Sequence, residues 1–418
     1  MVLSAGTSEA SLPAELSNLR HLRLLDVAVR ERSLSRAANL VHISQPAASQ
    51  AIAKLAKLFG VRLLERVGNT VTPTEEGLIV VARARRALDH LRDLGPLARP
   101  RHAGARSGMA DLLERYSSTS QLRALATFAT TGSFASAARR IGQTETSIQR
   151  ACRNIEQIIG LPLIEGGQRN RSLTAPGRIV AAQASLALKE LATAHAELRE
   201  REGVFDGRLV IGALPLARTR LVPEAVVRLM TRYPEARIEI TDGSYEALVQ
   251  RLRFGTCDMI VGALRGATRP AGLREIPLFH DRLSIVARKA HPLAGRAVTG
   301  ADLRGFPWIL PRIDSPARHL FEELAARHGL TDPSRGHVET GSLVNLRGIL
   351  LESDALALIS LRQIDYEYIQ GLLVPLDFPI ADTERPIGIT LLEEALPTGL
   401  QGAFLEYLED ASKAQRPS

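Results

Sequence analysis

Residues 33–77 read SLSRAANLVHISQPAASQAIAKLAKLFGVRLLERVGNTVTPTEEG, and the rest of the chain is ordered around them. The pattern predicts two short helices followed by a hairpin wing. Ala37 and Ala38 are small enough for two helices to cross closely. Ser44 offers a capping hydroxyl, and Pro46 sits in the first turn, where its missing N–H costs nothing. Ala48, Ala51, Ile52, Leu55 and Phe59 recur at helical spacing and define an inward stripe. The opposite stripe carries Gln45, Ala47, Ser49, Gln50 and Lys54. Amides can read adenine edges bidentately and small methyls can meet thymine, so this face suits a major groove. Gly60 ends the helix, and Arg62, Arg66, Gly68 and Asn69 suit a wing beside phosphate or the minor groove. A surface helix in an unrelated bundle is the plainer alternative.

Ser33, Ala37, Ala38, Ser44-Gln45-Pro46-Ala47, Ser49, Ile52, Leu55, Gly60, Leu63-Leu64-Glu65-Arg66, Thr74 and Gly77 form one ungapped run. In that run the segment resembles the winged helix-turn-helix of the LysR-type transcriptional regulators. The resemblance implies DNA contact by Ser44, Gln45, Pro46, Ala47, Ser49, Gln50, Lys54, Arg66 and Thr74. It also implies a linker helix over residues 74–94 that pairs between subunits, with Arg83, Arg85 and Arg86 on its polar sides.

The 418 residues suggest two to four domains, and 45% apolar composition supplies material for real cores. No apolar run is long enough to span a membrane, and the opening residues lack the pattern of an export signal, so a cytoplasmic protein with no membrane partner is expected. Cys152 and Cys257 form no ligand or CxxC pattern. The net charge of +8 is unevenly spread. Residues 1–118 hold 17 Lys/Arg against 11 Asp/Glu (+6), residues 119–203 hold 11 against 7 (+4), and the remainder holds 25 against 27 (−2). The positive excess lies where a polyanion would be met.

Residues 1–18 read as a loose tail, and 19–94 as the first winged unit with its linker helix. Residues 95–119, rich in Gly, Pro and Arg at the start, read as a flexible basic connector. The pattern then restarts. A shift of one hundred positions aligns Leu22 with Leu122, Ser33 with Ser133, Ala37-Ala38 with Ala137-Ala138, Ser44 with Thr144, Gly60 with Gly160, and Thr74 and Gly77 with Thr174 and Gly177. Residues 120–202 are thus a second copy, an internal duplication that departs from the family plan of one such domain. Ile148, Ala151, Cys152, Ile155 and Ile159 keep the inward stripe, while the outward face becomes Glu145, Thr146, Gln149, Arg150 and Arg153. Glu145 at the helix tip repels phosphate, and Arg150 and Arg153 can offset it. Two readings stay open for this copy: secondary DNA contact through Thr146, Gln149, Arg150 and Arg153, aided by Arg169 and Arg171, or a pairing and spacing module away from DNA.

From residue 207 strands and helices alternate, which argues for parallel sheets with covering helices: a strand at 208–212, helix 216–233, strand 237–241, helix 245–254 and strand 258–262. HPLA at 291–294, ADLRGFPWILP from Ala301 and VETGSLVNLRGILLESDALALIS from Val338 resemble the LysR-type effector domain. The expected fold is therefore multi-domain: two tandem α-rich winged helix-turn-helix domains, then at 207–418 an α/β effector domain of two lobes like a periplasmic binding protein. A ligand in such sheets sits beyond the carboxyl ends of strands. Three places qualify: Leu214, Pro215 and Leu216; Ser244 with Gly243; and Pro311, Ile313, Ser342, Leu343 and Ser360. Family members often offer an effector carboxylate a hydroxyl at the first place, where this chain has leucines. Arg265 and Arg318 are candidate anion partners, or equally a surface cation and a structural cap.

The expected function is a sequence-specific DNA-binding regulator of the LysR type, modulated by a small-molecule effector. Its expected partners are double-stranded DNA, the effector, a homodimer or homotetramer, and RNA polymerase if it activates. No metal, cofactor or catalytic set is expected: no Ser/His/Asp set, phosphate loop or His-Glu-x-x-His pair has the needed spacing. The alternative is a cytoplasmic solute-binding or redox-sensing protein whose winged helices serve oligomerisation, with Cys257 as the sensing thiol.

Overall fold

The computed structural model describes residues 18–68, 70–94, 105–167, 170–313, 315–330, 337–380 and 383–414. The 1–17 part of the expected tail, with Asn69 and Arg169, lies outside these. The chain divides into two compact units, one made of the part before Gly207 together with Arg253–Gly255, the other of the rest.

In the first unit the elements run α1 (Arg20–Glu31), α2 (Leu34–Leu40), α3 (Gln45–Phe59), β1 (Leu64–Val67), β2 (Thr70–Pro73) and α4 (Glu75–Arg92), then α5 (Ala105–Tyr116). The first order then repeats as α6 (Thr119–Thr131), α7 (Phe134–Ile141), α8 (Glu145–Ile159), β3 (Ile164–Glu165), β4 (Ser172–Leu173) and α9 (Ala175–Arg201). Equivalent residues start and stop the equivalent helices. Ser33 and Ser133 cap α2 and α7, accepting from Arg36 N at 3.3 Å and Ser136 N at 3.1 Å. Ser44 and Thr144 cap α3 and α8, accepting from Ala47 N at 3.4 Å and Ser147 N at 3.2 Å. Gly60 and Gly160 close those helices at φ 72° and 74°, a left-handed conformation in which a Cβ is strained. Gly77 and Gly177 are needed for another reason: a Cβ on either would lie 1.9 Å from the carbonyl oxygen of Leu63 or Leu163.

The two copies share one core. Leu25, Leu55, Leu88 and Leu91 of the first copy are buried together with Leu125, Ile155, Leu188 and Leu191 of the second. The linker helices make this junction, α4 packing along α9. The crossing is antiparallel: Glu76 at the start of α4 meets Arg201 at the end of α9 at 3.2 Å, and Asp93 just past α4 meets Gln183 near the start of α9 at 3.4 Å. The resemblance implied such pairing between subunits; here it is made inside one chain. It also corrects the placing of Arg83 on a polar side of the helix. That guanidinium is 2% exposed, bonded to Glu190 at 2.9 Å and to Glu197 at 2.9 Å, because the second copy brings carboxylates to it. The connector needs correcting as well. Residues 95–104 lie outside the described residues, but 105–116 form α5, which packs on α4 and α8. Its Leu113 is fully buried, and its buried Glu114 receives Arg23 at 3.2 Å and Arg92 at 2.8 Å. One leucine and one paired glutamate thus outweigh the glycines and arginines that made the segment read as loose.

The second unit is built on one nine-stranded sheet. Its elements are β5 (Arg208–Ala213), α10 (Leu221–Arg232), β6 (Arg237–Thr241), α11 (Tyr245–Arg253), β7 (Met259–Ala263), β8 (Leu273–Arg288), α12 (Gly300–Leu303), β9 (Trp308–Leu310), α13 (Pro316–His328), β10 (Val338–Glu339), α14 (Leu343–Glu352), β11 (Leu356–Ser360), α15 (Asp365–Ile369), β12 (Leu373–Pro375), β13 (Glu384–Leu392) and α16 (Gly399–Ala414). The strand order is β10-β9-β11-β8-β13-β7-β5-β6, with β12 also on β8. The sheet is mixed, which corrects the purely parallel expectation. β5, β6 and β7 pair parallel, as do β9, β10 and β11, but β8 and β13 run antiparallel to their neighbours. The 16-residue β8 joins the two halves, pairing with β13 over Leu273–Arg282 and with β11 and β12 over Leu283–Arg288.

Each half has a core on both faces, as period-two alternation requires. In β7, Met259 and Val261 face a core with Ile211, Ile389 and Phe404, while Ile260 faces Leu248 and Leu252. In β11, Leu356 and Leu358 face Trp308 and Phe321, while Ala357 and Ile359 face Leu350. One helix is shorter than expected: α10 begins at Leu221, with Pro223 in its first turn, and the residues from Pro215 to Arg220 form turns instead.

Candidate nucleic-acid interface and ligand site

In α3 the buried positions Ala48, Ala51 and Leu55 alternate with exposed Gln45, Pro46, Ala47, Ser49, Gln50 and Lys54. The structure gathers these six on one uncovered strip, and Ser44 adjoins it with its hydroxyl already turned to the cap. Arg66 is exposed on the β1–β2 hairpin, opposite Val71. Thr74 differs from the rest of the set. Its hydroxyl donates to Arg62 O and accepts from Gly77 N at 2.9 Å, so it is occupied in holding the wing to α4. Thr174 does the same in the second copy, donating to Pro162 O at 2.8 Å and accepting from Gly177 N at 3.0 Å.

On α8, Arg150 and Arg153 are exposed and have no ion-pair partner among the described residues. Gln149 is half-buried and donates to Glu145 at 3.1 Å, and the Thr146 hydroxyl lies 3.1 Å from that of Thr144. The tip of α8 is thus more self-satisfied than that of α3. Arg171 lies over the Phe134 ring at 4.9 Å, which makes it a packing residue. Cys152 is buried, and burial pushes its thiol up to about 12. Cys257 is fully buried, its Sγ 3.1 Å from Met259 O. Neither thiol has the exposed, electropositive setting that makes cysteine reactive.

Two of the proposed ligand residues do not share a lining. Leu214 and Leu216 are buried at 7% and 5% exposure, in cores on opposite faces of the first half-sheet. They are packing residues, with Pro215 half-buried between them. Ser244, half-buried, caps α11 through Ala247 N at 3.1 Å. On the second half Pro311 is half-buried, Ile313 exposed, and exposed Ser342 caps α14 through Asn345 N at 3.3 Å, followed by half-buried Leu343. Arg318 is fully engaged with Pro311 O, Glu322 and Glu339, as a structural cap would be.

Ser360 leads to a group the sequence reading missed. Its hydroxyl, wholly buried, donates to Asp281 at 2.6 Å. The other Asp281 oxygen accepts from Arg385 at 3.1 and 3.2 Å, and Arg362, covering the Phe279 ring, lies 3.8 Å from the oxygen that Ser360 holds. Burial pushes the Arg385 guanidinium down, and Asp281 opposes that. Arg265 stacks on Tyr245 at 4.1 Å, donates to Ala263 O, and is pushed down by burial, with Tyr245, Glu246 and Glu275 opposing and Arg385 adding to the fall. Three cations, one buried carboxylate and two aromatic rings thus meet where β8 and β13 join the halves. Arg220 on the first half and Asp365 on the second approach to 3.7 Å. The signal in the sequence was an arginine near the start of a mostly apolar strand, ERPIGITLL.

The comparisons with known proteins fit this geometry. The model of the bacterial regulatory helix-turn-helix protein, lysR family, matches residues 19–78 and again 119–178, and that of the LysR substrate binding domain matches residues 202–413. The chain is also 31% identical over 378 residues to the HTH-type transcriptional regulator GalR of Pseudomonas putida, covering 90% of this chain and 93% of GalR. The chain belongs to the LysR family of transcriptional regulators. The regulator PcaQ of Agrobacterium fabrum is 24% identical, over 66% of this chain and 89% of its own. Among solved structures, full-length OxyR from Pseudomonas aeruginosa aligns with a TM-score of 0.56 at 20% identity, covering 72% of this chain and 95% of OxyR. LysG from Corynebacterium glutamicum, solved with bound effector Arg, aligns at 0.51 and 17% identity, covering 72% and 100%. As a LysR-type regulator the chain binds DNA and is modulated by a small-molecule effector. No helix among the described residues is long and apolar enough to cross a membrane.

Proposed function

We propose that this LysR-type regulator reads its operator chiefly through α3 of the first copy. Gln45, Pro46, Ala47, Ser49, Gln50 and Lys54 enter the major groove, with Ser44 at the tip and Arg66 of the wing on the backbone. The observation that carries this is the uncovered strip of α3, whose amides and hydroxyl are not used to hold the fold. Thr74 positions the wing and does not read DNA. Losing a base contact costs about 1–3 kcal/mol at one position. Gln45→Ala and Ser49→Ala are therefore expected to weaken a cognate duplex about tenfold or more while leaving random duplex nearly unaffected, measured by fluorescence anisotropy. Equal weakening on both would assign these residues to backbone contact only.

The effector site belongs at the junction of the half-sheets. Ser244, Pro311, Ile313 and Ser342 stand at strand ends on either half, which act as two lobes, and Arg265 over Tyr245 and Arg362 over Phe279 supply positive charge. This setting favours a small organic anion with an apolar or aromatic body. The protein works in the cytoplasm as a homo-oligomer, without cofactor, metal or catalysis, and meets RNA polymerase if it activates. The repeat of caps and close glycines at one-hundred-residue spacing supports a duplicated winged helix, with Thr146, Gln149, Arg150 and Arg153 in secondary contact with DNA.

A further inference from the structure

We propose that one chain supplies both members of the DNA-reading pair, and that its operator consists of two unlike half-sites, one read by α3 and the other by α8. The inference rests on the regulator reading above and concerns how its DNA is shared. Three pairings of linker helices are conceivable: α4 with α4, α9 with α9, and α4 with α9. Charge at equivalent positions separates them. Arg83, Arg86 and His90 of α4 correspond to Gln183, Leu186 and Glu190 of α9. In the antiparallel register, Glu190 accepts from Arg83 and Arg86, each at 2.9 Å, and lies 3.6 Å from His90. Arg83 also pairs with Glu197, and Arg201 pairs with Glu75 and Glu76 at the far end.

The same register applied to two copies of α4 would set Arg83 and Arg86 of each helix against His90 of the other. Asp93, at the exposed rim, would be the one carboxylate facing Arg83. Applied to two copies of α9, it would bury Glu190 against Gln183 and Leu186. A buried charge left without its partner is strongly destabilising, so such positions select partners by what they exclude. Only α4 with α9 gives every buried charge at this crossing an opposite one. The pair is further locked by Phe59 at the end of α3, stacked on His195 of α9 at 4.5 Å, and by α5, which packs on α4 and α8.

A symmetric dimer matches a palindromic operator, because the two reading helices are identical. Here they are not. Gln45-Pro46-Ala47, Ser49 and Gln50 are answered by Glu145-Thr146-Ser147, Gln149 and Arg150. An amide-rich face suits adenine, an arginine face suits guanine, and so the two halves should differ in base content.

The test is selection by the full-length chain from a randomised duplex library, followed by footprinting. The expected result is one site with two different halves, in which scrambling either half weakens binding at least about tenfold. A palindrome carrying the same motif twice would overturn the proposal, since it requires α3 from two chains. A site with one half only, and a footprint confined to it, would overturn it too. No enrichment over random DNA would remove the regulator reading itself, a different failure from either. A second arm places the α3 face on α8 with E145Q, T146P, S147A, Q149S and R150Q, and should convert the selected site to a repeat of the α3 motif. If that variant melts early, R150Q with R153Q, both at exposed positions, should change the preferred bases in the α8 half alone. An unaltered preference there would count against the proposal.

Discussion

Asp281 shows how much a single side chain carries in the second unit. It is 3% exposed, yet it holds Ser360, Arg385 and Arg362 across the join between the half-sheets. Removing its charge leaves the Arg385 guanidinium buried and uncompensated, which costs about 3–5 kcal/mol when one partner of a buried pair is lost. Asp281→Asn is accordingly expected to lower the unfolding free energy by about that amount in urea titrations. A loss below about 1 kcal/mol would mean that water or another acceptor takes over. The exposed residues of α3 proposed to read DNA stand at the opposite extreme. They hold nothing together, and their substitution should change DNA affinity while leaving the melting temperature in place.

At the scale of elements, the crossing of α4 and α9 should be sensitive to acid. Burial pushes the Glu190 carboxyl up, but hydrogen bonds from His90 and Arg83, with the charges of Arg83 and Arg86, outweigh it and bring its pKa to about 2. A carboxyl lowered in the folded state adds stability above its unfolded value near 4.5 and loses it as pH falls toward 2, on the order of 3 kcal/mol in all. His195 works in the same direction: burial holds it below the usual imidazole range, so protonation below about pH 6.5 opposes folding. Glu114 opposes them, because burial raises its pKa and protonation relieves a cost. The net expectation is a melting temperature that falls between about pH 5 and 3 in the wild type, and falls less in Glu190→Gln, which starts lower. An identical pH profile in both would remove Glu190 as the cause. The sequence carried the helices of both copies well, because a cap, a stripe and a terminal glycine are local signals. It did not carry the pairing of α4 with α9, since Arg83 in a polar-looking row is indistinguishable from a solvated arginine until Glu190 and Glu197 are placed beside it. Two of the ligand candidates, Leu214 and Leu216, fell away for a similar reason. Leu214 and Leu216 follow a strand as lining residues do, but only the sheet's two faces reveal that each fills a core. Asp281 and Arg385 are one hundred and four positions apart, and no periodicity links them.

For the whole molecule, the function requires that a ligand in the second unit alter what the first unit does on DNA. Ser244 is half-buried at the start of α11, and a large side chain there should block the junction without touching α3. With a small carboxylate found by thermal shift on the full chain, Ser244→Trp is expected to lose the ligand-dependent change in DNA mobility while binding DNA as before. An unchanged ligand response would move the effector site elsewhere. The antiparallel crossing of α4 and α9 has one more consequence. A pair of readers assembled from separate subunits forms by a second-order encounter, so its abundance falls with the square of protein level once the level drops below the dissociation constant. A pair built into one polypeptide is always assembled, at an effective concentration set by its own connection. If α3 and α8 are that pair, a cell holding only a few molecules would still hold the same few assembled pairs, whatever larger assembly they then enter.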